Sequence, residues 1–81
     1  MNISKDAWTL IGTGSFTLQA NGGCAVLLRS AAALPSADDL FGDNDFILDR
    51  GDTVTLNAGT DNLYARARGS SSPVTVAALS A

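Results

Sequence analysis

The chain has 81 residues, of which 46% are hydrophobic and 16% charged, and its formal net charge is −3. A chain of this length makes one domain, residues 1–81, and so small a domain buries only about 60% of its unfolded surface, so oligomerisation often stabilises it. Lys5 is the only lysine and every acidic residue is Asp, which argues against a nucleic-acid-binding surface and against long exposed helices.

Short apolar runs with period-two alternation, separated by Gly, Asn and Asp, predict antiparallel strands along the chain. Residues 7–11 and 15–19 form the first two predicted strands, and Gly12-Thr13-Gly14 is the predicted turn between them. Asn21-Gly22 follows, and Asn-Gly is a strong hairpin signal. These signals place a second chain reversal before the third strand.

The third predicted strand, residues 24–30, has no polar side chain before Arg29. A strand that is apolar on both faces is typical of one covered on both sides. We therefore expect core on one side and a subunit contact on the other, with Val26 and Leu28 as candidate interface residues. Cys24 is the only cysteine, which excludes an intrachain disulfide. We interpret it as a small buried side chain, with a reactive thiol or an interchain bridge as alternatives.

Residues 31–44 are predicted to be an irregular loop with a Ser-capped helical turn near 36–42. Long loops in small domains are often functional. A calcium site is one interpretation of the acidic residues in and after this loop, but they lack the ligand order of an EF-hand. We interpret them as turn residues and predict neither a metal nor another cofactor. The acidic residues are Asp38, Asp39, Asp43, Asp45 and Asp49.

Four more strands are predicted at 46–49, 53–57, 62–68 and 73–79. Arg50-Gly51-Asp52 matches a cell-adhesion tripeptide, but a hairpin turn between two strands favours the same residues. About seven strands at this spacing predict an all-β fold, a small antiparallel β-sandwich or jelly-roll-like barrel. The predicted core is Trp8, Leu10, Phe16, Leu18, Val26, Leu28, Phe46, Leu48, Val54, Leu56, Leu63, Ala65, Val74 and Val76.

The strand at 62–68 has one apolar face and one face that carries Tyr64, Arg66 and Arg68. An ordinary solvated face is one interpretation. The other is a contact surface, because Tyr and Arg are enriched in interfaces and Arg pairs with carboxylates such as those of a neighbouring copy. On that interpretation, replacing both arginines by alanine weakens attachment without unfolding the domain.

The residues needed for catalysis are scarce. Histidine and glutamate are absent, so no Ser–His or Cys–His unit and no zinc site can be built. We therefore predict no catalytic residue and no enzyme activity. The apolar stretches are far shorter than the ~20 residues of a membrane-spanning helix, so no membrane partner is expected.

Two segments of the chain resemble small β-sandwich virion proteins of tailed bacteriophages. They are DRGDTVTL at 49–56 with LYARA at 63–67, and WTLIG at 8–12 followed by FTLQ at 16–19. The resemblance is a pattern of strands and turns over most of the chain apart from 31–45. It implies a structural role in decorating capsids, in head fibres or on tail and baseplate parts, often as trimers. It implies no particular functional residue.

From the residues and the resemblance we expect a non-enzymatic virion component, most simply a capsid decoration or head-fibre protein, made in the bacterial host cytoplasm. Its expected partners are further copies of itself, with a trimer favoured, and other virion proteins such as the major capsid protein. The alternatives are a tail or baseplate accessory and a carbohydrate-binding module for host recognition. The carbohydrate alternative requires Trp8 to be exposed as a platform for sugar rings.

Overall fold

The computed structural model describes residues 1–22, 25–36, 38, 45–69 and 72–78. All regular structure in these residues is β: β1 (Asn2–Ile3), β2 (Thr9–Ala20), β3 (Val26–Ala31), β4 (Phe46–Leu48), β5 (Thr53–Ala67) and β6 (Ser72–Ala78). The strands pair antiparallel in the order β1-β6-β2-β5-β3-β4. The predicted all-β class is confirmed. Within the described residues the architecture is one curled sheet of six strands, in place of seven strands in two packed sheets.

The number of strands differs from the prediction for two reasons: β2 and β5 each join two predicted strands, and β1 is a short strand that was not predicted. β2 and β5 pair from Thr9↔Ala65 to Gln19↔Thr53, and the register shifts near Gly12 and Gly14. Residues 58–61 of β5 lie opposite Gly14 alone, since Thr13 pairs with Asn62 and Ser15 with Asn57. The predicted turn at 12–14 and the break between the predicted strands 53–57 and 62–68 are therefore bulges, in which extra residues bend a strand that continues.

The two bends curl the sheet around one core. One half of the sheet contributes Phe16, Leu18 and Val74, and the other half contributes Leu28 and Leu63. These side chains face one another because the bulges lie side by side in the central pair of strands. Most of the predicted core residues lie in this cluster, which also includes three that were not predicted: Ile3, Ala20 and Ala67.

Three predicted core residues lie elsewhere. Leu10 is 52% exposed and Phe46 is 43% exposed, so both predictions were wrong. Leu10 belongs to the outward face of β2 because it pairs with Tyr64, and Phe46 lies on an edge strand where nothing described covers it fully. Trp8 is buried, as predicted, but it belongs to a second cluster on the convex side of the sheet.

Arg50-Gly51-Asp52 lies in the connection between β4 and β5. Asp52 N donates to Asp49 O at 3.0 Å, and Gly51 N donates to Ala20 O at 2.8 Å, so the turn packs against the end of β2. Gly51 has a φ of 87°, a conformation that glycine adopts at little cost. The predicted turn is confirmed, although β4 and β5 are not paired as a hairpin.

Gly12→Ala should destabilise the fold more than Gly14→Ala. A Cβ at Gly12 would lie 2.5 Å from Cζ of the buried Phe16 ring, so the ring would have to move within the core. We expect a loss of about 1–3 kcal/mol for Gly12→Ala. At Gly14 nothing lies within 4 Å of the added Cβ and the backbone strain at φ 102° remains, for which we expect about 1 kcal/mol. Chemical denaturation of both variants measures which one loses more stability. A larger loss of stability for Gly14→Ala would contradict the close packing of Phe16 against Gly12.

Candidate functional site

The predicted Tyr/Arg contact face is placed by β5. Leu63, Ala65 and Ala67 face the core, at 1%, 0% and 2% exposure, as the alternation predicts. Tyr64 and Arg66 lie on the opposite face of the strand, but they are only 4% and 7% exposed. Other parts of the same chain therefore cover this face, whereas Arg68, just beyond the strand, is exposed.

A second apolar cluster accounts for the burial of Tyr64. Trp8, Leu27 and Tyr64 pack together, and Ala31 lies against them. Strand register brings them together, because Leu10 pairs with Tyr64 on one side of β5 and Arg29 pairs with Tyr64 on the other. The Tyr64 hydroxyl also accepts a hydrogen bond from Asn62 Nδ2 at 3.1 Å. The outward face of β2, β5 and β3 thus forms a small core of its own.

Arg29 and Asp45 make a buried ion pair within this outer cluster. Arg29 Nε donates to Asp45 Oδ1 at 2.7 Å and Arg29 Nη2 donates to Oδ2 at 2.8 Å. The side chains are 14% and 2% exposed. The Arg29 guanidinium also lies 4.5 Å from the centre of the Trp8 ring, a distance at which a cation is attracted to the ring face.

The ion pair continues the β3–β4 ladder. Val26 pairs with Leu48 and Leu28 pairs with Phe46. Continuing the same register by one residue places Arg29 opposite Asp45, and both side chains then lie on the outward face of the sheet. A planar guanidinium matches a carboxylate at two points. The pair therefore fastens the short edge strand to its neighbour and neutralises a carboxylate that is almost completely buried.

Arg66 fastens the N-terminal segment to β5. Arg66 Nε donates to Lys5 O at 3.0 Å, and Ala67 N donates to Ser4 O at 2.9 Å. The neighbouring Lys5–Asp6 pair lies in solvent. The hydrogen bond from Lys5 and its positive charge lower the pKa of the Asp6 carboxyl below its usual value. Arg66 is thus a structural contact in the monomer, and of the two arginines Arg68 is the one exposed.

Val26 and Leu28, the other candidate interface residues, are 0% and 1% exposed and lie in the main core. Leu27 between them faces outward and is covered by the second cluster. The apolar character of the strand on both faces is therefore explained within one chain, and neither Val26 nor Leu28 is available at the surface of the monomer. Cys24 lies outside the described residues.

The acidic residues do not form a metal site in the part of the chain that is described. Asp45 is engaged by Arg29, and Asp38 and Asp49 are exposed. Asp39 and Asp43 lie outside the described residues. Among the residues described, no three carboxylate or thiol side chains are grouped closely enough to hold a metal ion.

Trp8 offers no platform for a sugar ring. It is 4% exposed, and one face of its ring is covered by Arg29. The carbohydrate alternative depended on an exposed Trp8, so it loses the residue that favoured it.

Two of the exposed large apolar side chains lie next to each other in β4, whereas Met1, Leu10 and Leu34 are exposed elsewhere. Ile47 is 36% exposed and Phe46 43% exposed, on opposite faces of this edge strand. A pocket of about 120 Å³ lies between Phe46 and the middle of β5, where it is lined by Leu56, Ala58 and Leu63. Among the described residues, the pocket thus brings the edge strand and part of the main core to the surface at the same place.

Comparison of the chain with family models, curated proteins and solved structures found no match. Within the described residues, no helix is long and apolar enough to cross a membrane. The argument for function therefore rests on the surface of the molecule itself.

The two arginines of the predicted contact face should behave differently. Arg66→Ala removes a buried side chain and the hydrogen bond to Lys5 O, so we expect a loss of about 1–3 kcal/mol of stability. Arg68→Ala, which changes an exposed residue, should leave stability within about 0.5 kcal/mol of the parent. Urea denaturation of both variants measures the difference. Equal losses would show that Arg66 is not held as described.

Proposed function

We propose that the protein is a non-enzymatic structural component of a bacteriophage virion that acts through protein–protein contacts. Capsid decoration or a head fibre is the first assignment, and a tail or baseplate accessory is the second. The resemblance to small virion proteins supports the proposal. The observation that carries it is the edge strand β4, which is apolar on both faces and has neither a charge nor a proline in Phe46–Leu48.

Natural proteins commonly protect sheet edges with charged residues, prolines or a covering loop, because an open edge pairs with other chains. β4 ends the strand order beside β3, and its exposed residues are Phe46 and Ile47. Such an edge is suited to contact with another protein, either a second copy, with a trimer favoured, or the major capsid protein.

The strength of one such contact is limited. β4 has 3 residues, so few main-chain hydrogen bonds can form along it. Complete burial of a Phe or Ile side chain contributes about 1.5–3 kcal/mol, and Phe46 and Ile47 are already more than half buried. A weak contact repeated over many copies on a capsid lattice gives durable attachment through high effective concentration.

Two measurements test the proposal. Mass spectrometry of purified particles of the phage that encodes the chain should find the protein in copy numbers set by the particle symmetry. Sedimentation velocity at micromolar concentration should show an oligomer. A protein that is monomeric in solution and absent from washed particles would overturn the proposal, and presence in separated tails alone would select the second assignment.

Ile47→Lys tests the role of β4 with the fold preserved. A charge on this edge strand should abolish self-association or particle binding, because pairing would bury the ammonium group. The matched control is Leu34→Lys, at an exposed apolar residue outside the strands. The control should assemble like the parent. If Ile47→Lys also assembles normally while melting like the parent, β4 is not the contact.

A further inference from the structure

The first part of β5 has a side that no other strand covers among the described residues. Residues 53–57 pair with β2 on one side. β3 pairs with β5 at residues 62–67 only, so no described residue pairs with 53–57 on the other side. This side is here called the outer edge of β5. Its sequence, Thr-Val-Thr-Leu-Asn, contains neither a charge nor a proline, which are the residues that commonly protect sheet edges.

The hydrogen bonds of β2 show which backbone groups the outer edge presents. Ala20 N donates to Asp52 O on the β5 side of β2, and Asn21 N donates to Pro73 O on the β6 side. Because the backbone groups of neighbouring residues in a strand point to opposite sides, the even-numbered residues of β2 bond to β5. The odd-numbered residues of β2 bond to β6.

The same alternation holds in β5. The partners of the even-numbered residues of β2 are Val54 and Leu56, which therefore direct their backbone groups toward β2. The residues that alternate with them direct their N–H and C=O groups out of the sheet, at the outer edge. These residues are Thr53, Thr55 and Asn57. The outer edge thus presents a regular row of donors and acceptors at which a further strand can be added.

The outer edge is complementary to itself. When two copies pair antiparallel about a twofold axis at Thr55, each Thr55 lies opposite the other, and each Thr53 lies opposite Asn57 of the second copy. Every outward N–H then meets an outward C=O, as in the hydrogen-bonded pairs of an antiparallel ladder. The nearest charged residue, Asp52, comes opposite Ala58 of the second copy, so the pairing opposes no like charges.

The pocket beside Phe46 lies on the inner side of the outer edge. Phe46 is 43% exposed, and Leu56 and Ala58, which line the pocket with it, are only partly buried. In the twofold pairing, Val54 of the second copy lies opposite Leu56 and on the same face of the sheet. A second copy therefore brings an apolar side chain to the place where one chain leaves its core incompletely covered.

We propose that two copies of the chain pair through the outer edge of β5 and form a twofold dimer with one sheet continuous across both. An edge of this length, at ~3.3 Å per residue, is roughly 17 Å long, which is short for an interface that buries about 800 Å² on each partner. The dimer is therefore weak, with a dissociation constant on the order of 0.1–1 mM. It uses no backbone group of β4, so it does not depend on the proposed virion role.

Disulfide cross-linking tests the pairing directly. Opposed residues of a hydrogen-bonded pair have Cα atoms about 5.5 Å apart, within the range that a disulfide spans. Thr55→Cys in a Cys24→Ala background should therefore give a disulfide-linked dimer under mild oxidation. The matched control is Thr60→Cys in the same background, at an exposed threonine in the bulge. We expect Thr55→Cys to cross-link at least about tenfold faster, because pairing raises the effective concentration of the two thiols. Equal rates overturn the proposal.

A charge exchange at Thr55 tests the same contact without cysteine. Because residue 55 meets itself at the twofold axis, Thr55→Lys alone and Thr55→Glu alone place like charges opposite each other and should remain monomeric. An equal mixture of the two variants places opposite charges together and should dimerise. Sedimentation equilibrium near the expected dissociation constant measures all three samples beside the parent. Dimers of either variant alone, or a mixture that stays monomeric, would place the contact elsewhere and overturn the proposal.

Ile47→Lys separates this dimer from the contact proposed for β4. The lysine changes β4 and leaves the outer edge of β5 intact, so the cross-link through Thr55→Cys should form at the same rate with and without it. Loss of the cross-link in the combined variant, with an unchanged melt, would show that the pairing needs β4 and would overturn the inference. A cross-link that persists while particle binding is lost would support it.

Discussion

Trp8→Ala is expected to lower the free energy of unfolding by about 3–5 kcal/mol, as large-to-small changes of buried aromatic residues do. Trp8 is 4% exposed, it packs against Leu27 and Tyr64, and its ring contacts the Arg29 guanidinium. Its removal would leave a cavity and would also expose the arginine of a buried ion pair. For a domain of this size, such a loss lowers the melting temperature by about 12 °C or more.

Leu10→Ala is the matched control, because Leu10 lies two positions along the chain from Trp8 and is 52% exposed. It should change stability by less than about 1 kcal/mol. Thermal melts followed by circular dichroism compare the two variants. If Trp8→Ala lowered the melting temperature as little as Leu10→Ala does, the indole would lie in solvent. The interpretation of Trp8 as a platform for sugar rings would then return.

Local alternation predicted the faces of single strands well. In β5 it separated Leu63, Ala65 and Ala67 from Tyr64 and Arg66, because neighbouring residues of a strand point to opposite faces. Alternation does not predict which other residues cover the outward face of the strand. The low exposure of Tyr64 and Arg66 depends on Trp8 and on the Lys5 carbonyl, which come from distant parts of the chain. A face that was predicted as surface is therefore interior.

The turn signals were ambiguous for a physical reason. Gly12, Gly14 and Gly59 have φ values of 154°, 102° and 64°, which glycine adopts both in tight turns and in bulges. The local residues cannot distinguish a reversal from a bend, because the difference depends on whether the next segment keeps the same neighbour. β2 and β5 keep each other as neighbours through both irregularities, so four of the predicted strands became two.

No pattern in the sequence indicated that Arg29 and Asp45 form an ion pair. Asp45 was one of several aspartates near a loop, and its partner lies 16 residues earlier in the chain. The pairing depends on the register of β3 with β4, which a loop of that length does not determine. Cross-strand opposite charges become recognisable as a pair once that register is known.

Asp45→Asn should be among the most destabilising single substitutions in the chain, with a loss of about 3 kcal/mol. The change keeps the shape of the side chain and removes its charge, so Arg29 stays in place without a counter-charge. Asp45 is 2% exposed and Arg29 is 14% exposed, so water can compensate little of the lost attraction. Because the pair fastens β4 to β3, the edge strand should loosen first, which faster hydrogen exchange at the amide groups of Phe46–Leu48 would report.

Two further variants separate the buried ion pair from a general effect of charge. Asp6→Asn removes one partner of the exposed Lys5–Asp6 pair and should leave the melt unchanged, since exposed ion pairs contribute little. Arg29→Met combined with Asp45→Asn removes both buried charges. The double variant should be more stable than Asp45→Asn alone, because most of the cost of the single change is an arginine left buried without its partner. If the loss in the double variant equals the sum of the losses for Arg29→Met alone and Asp45→Asn alone, the residues act independently and the pair does not hold β4.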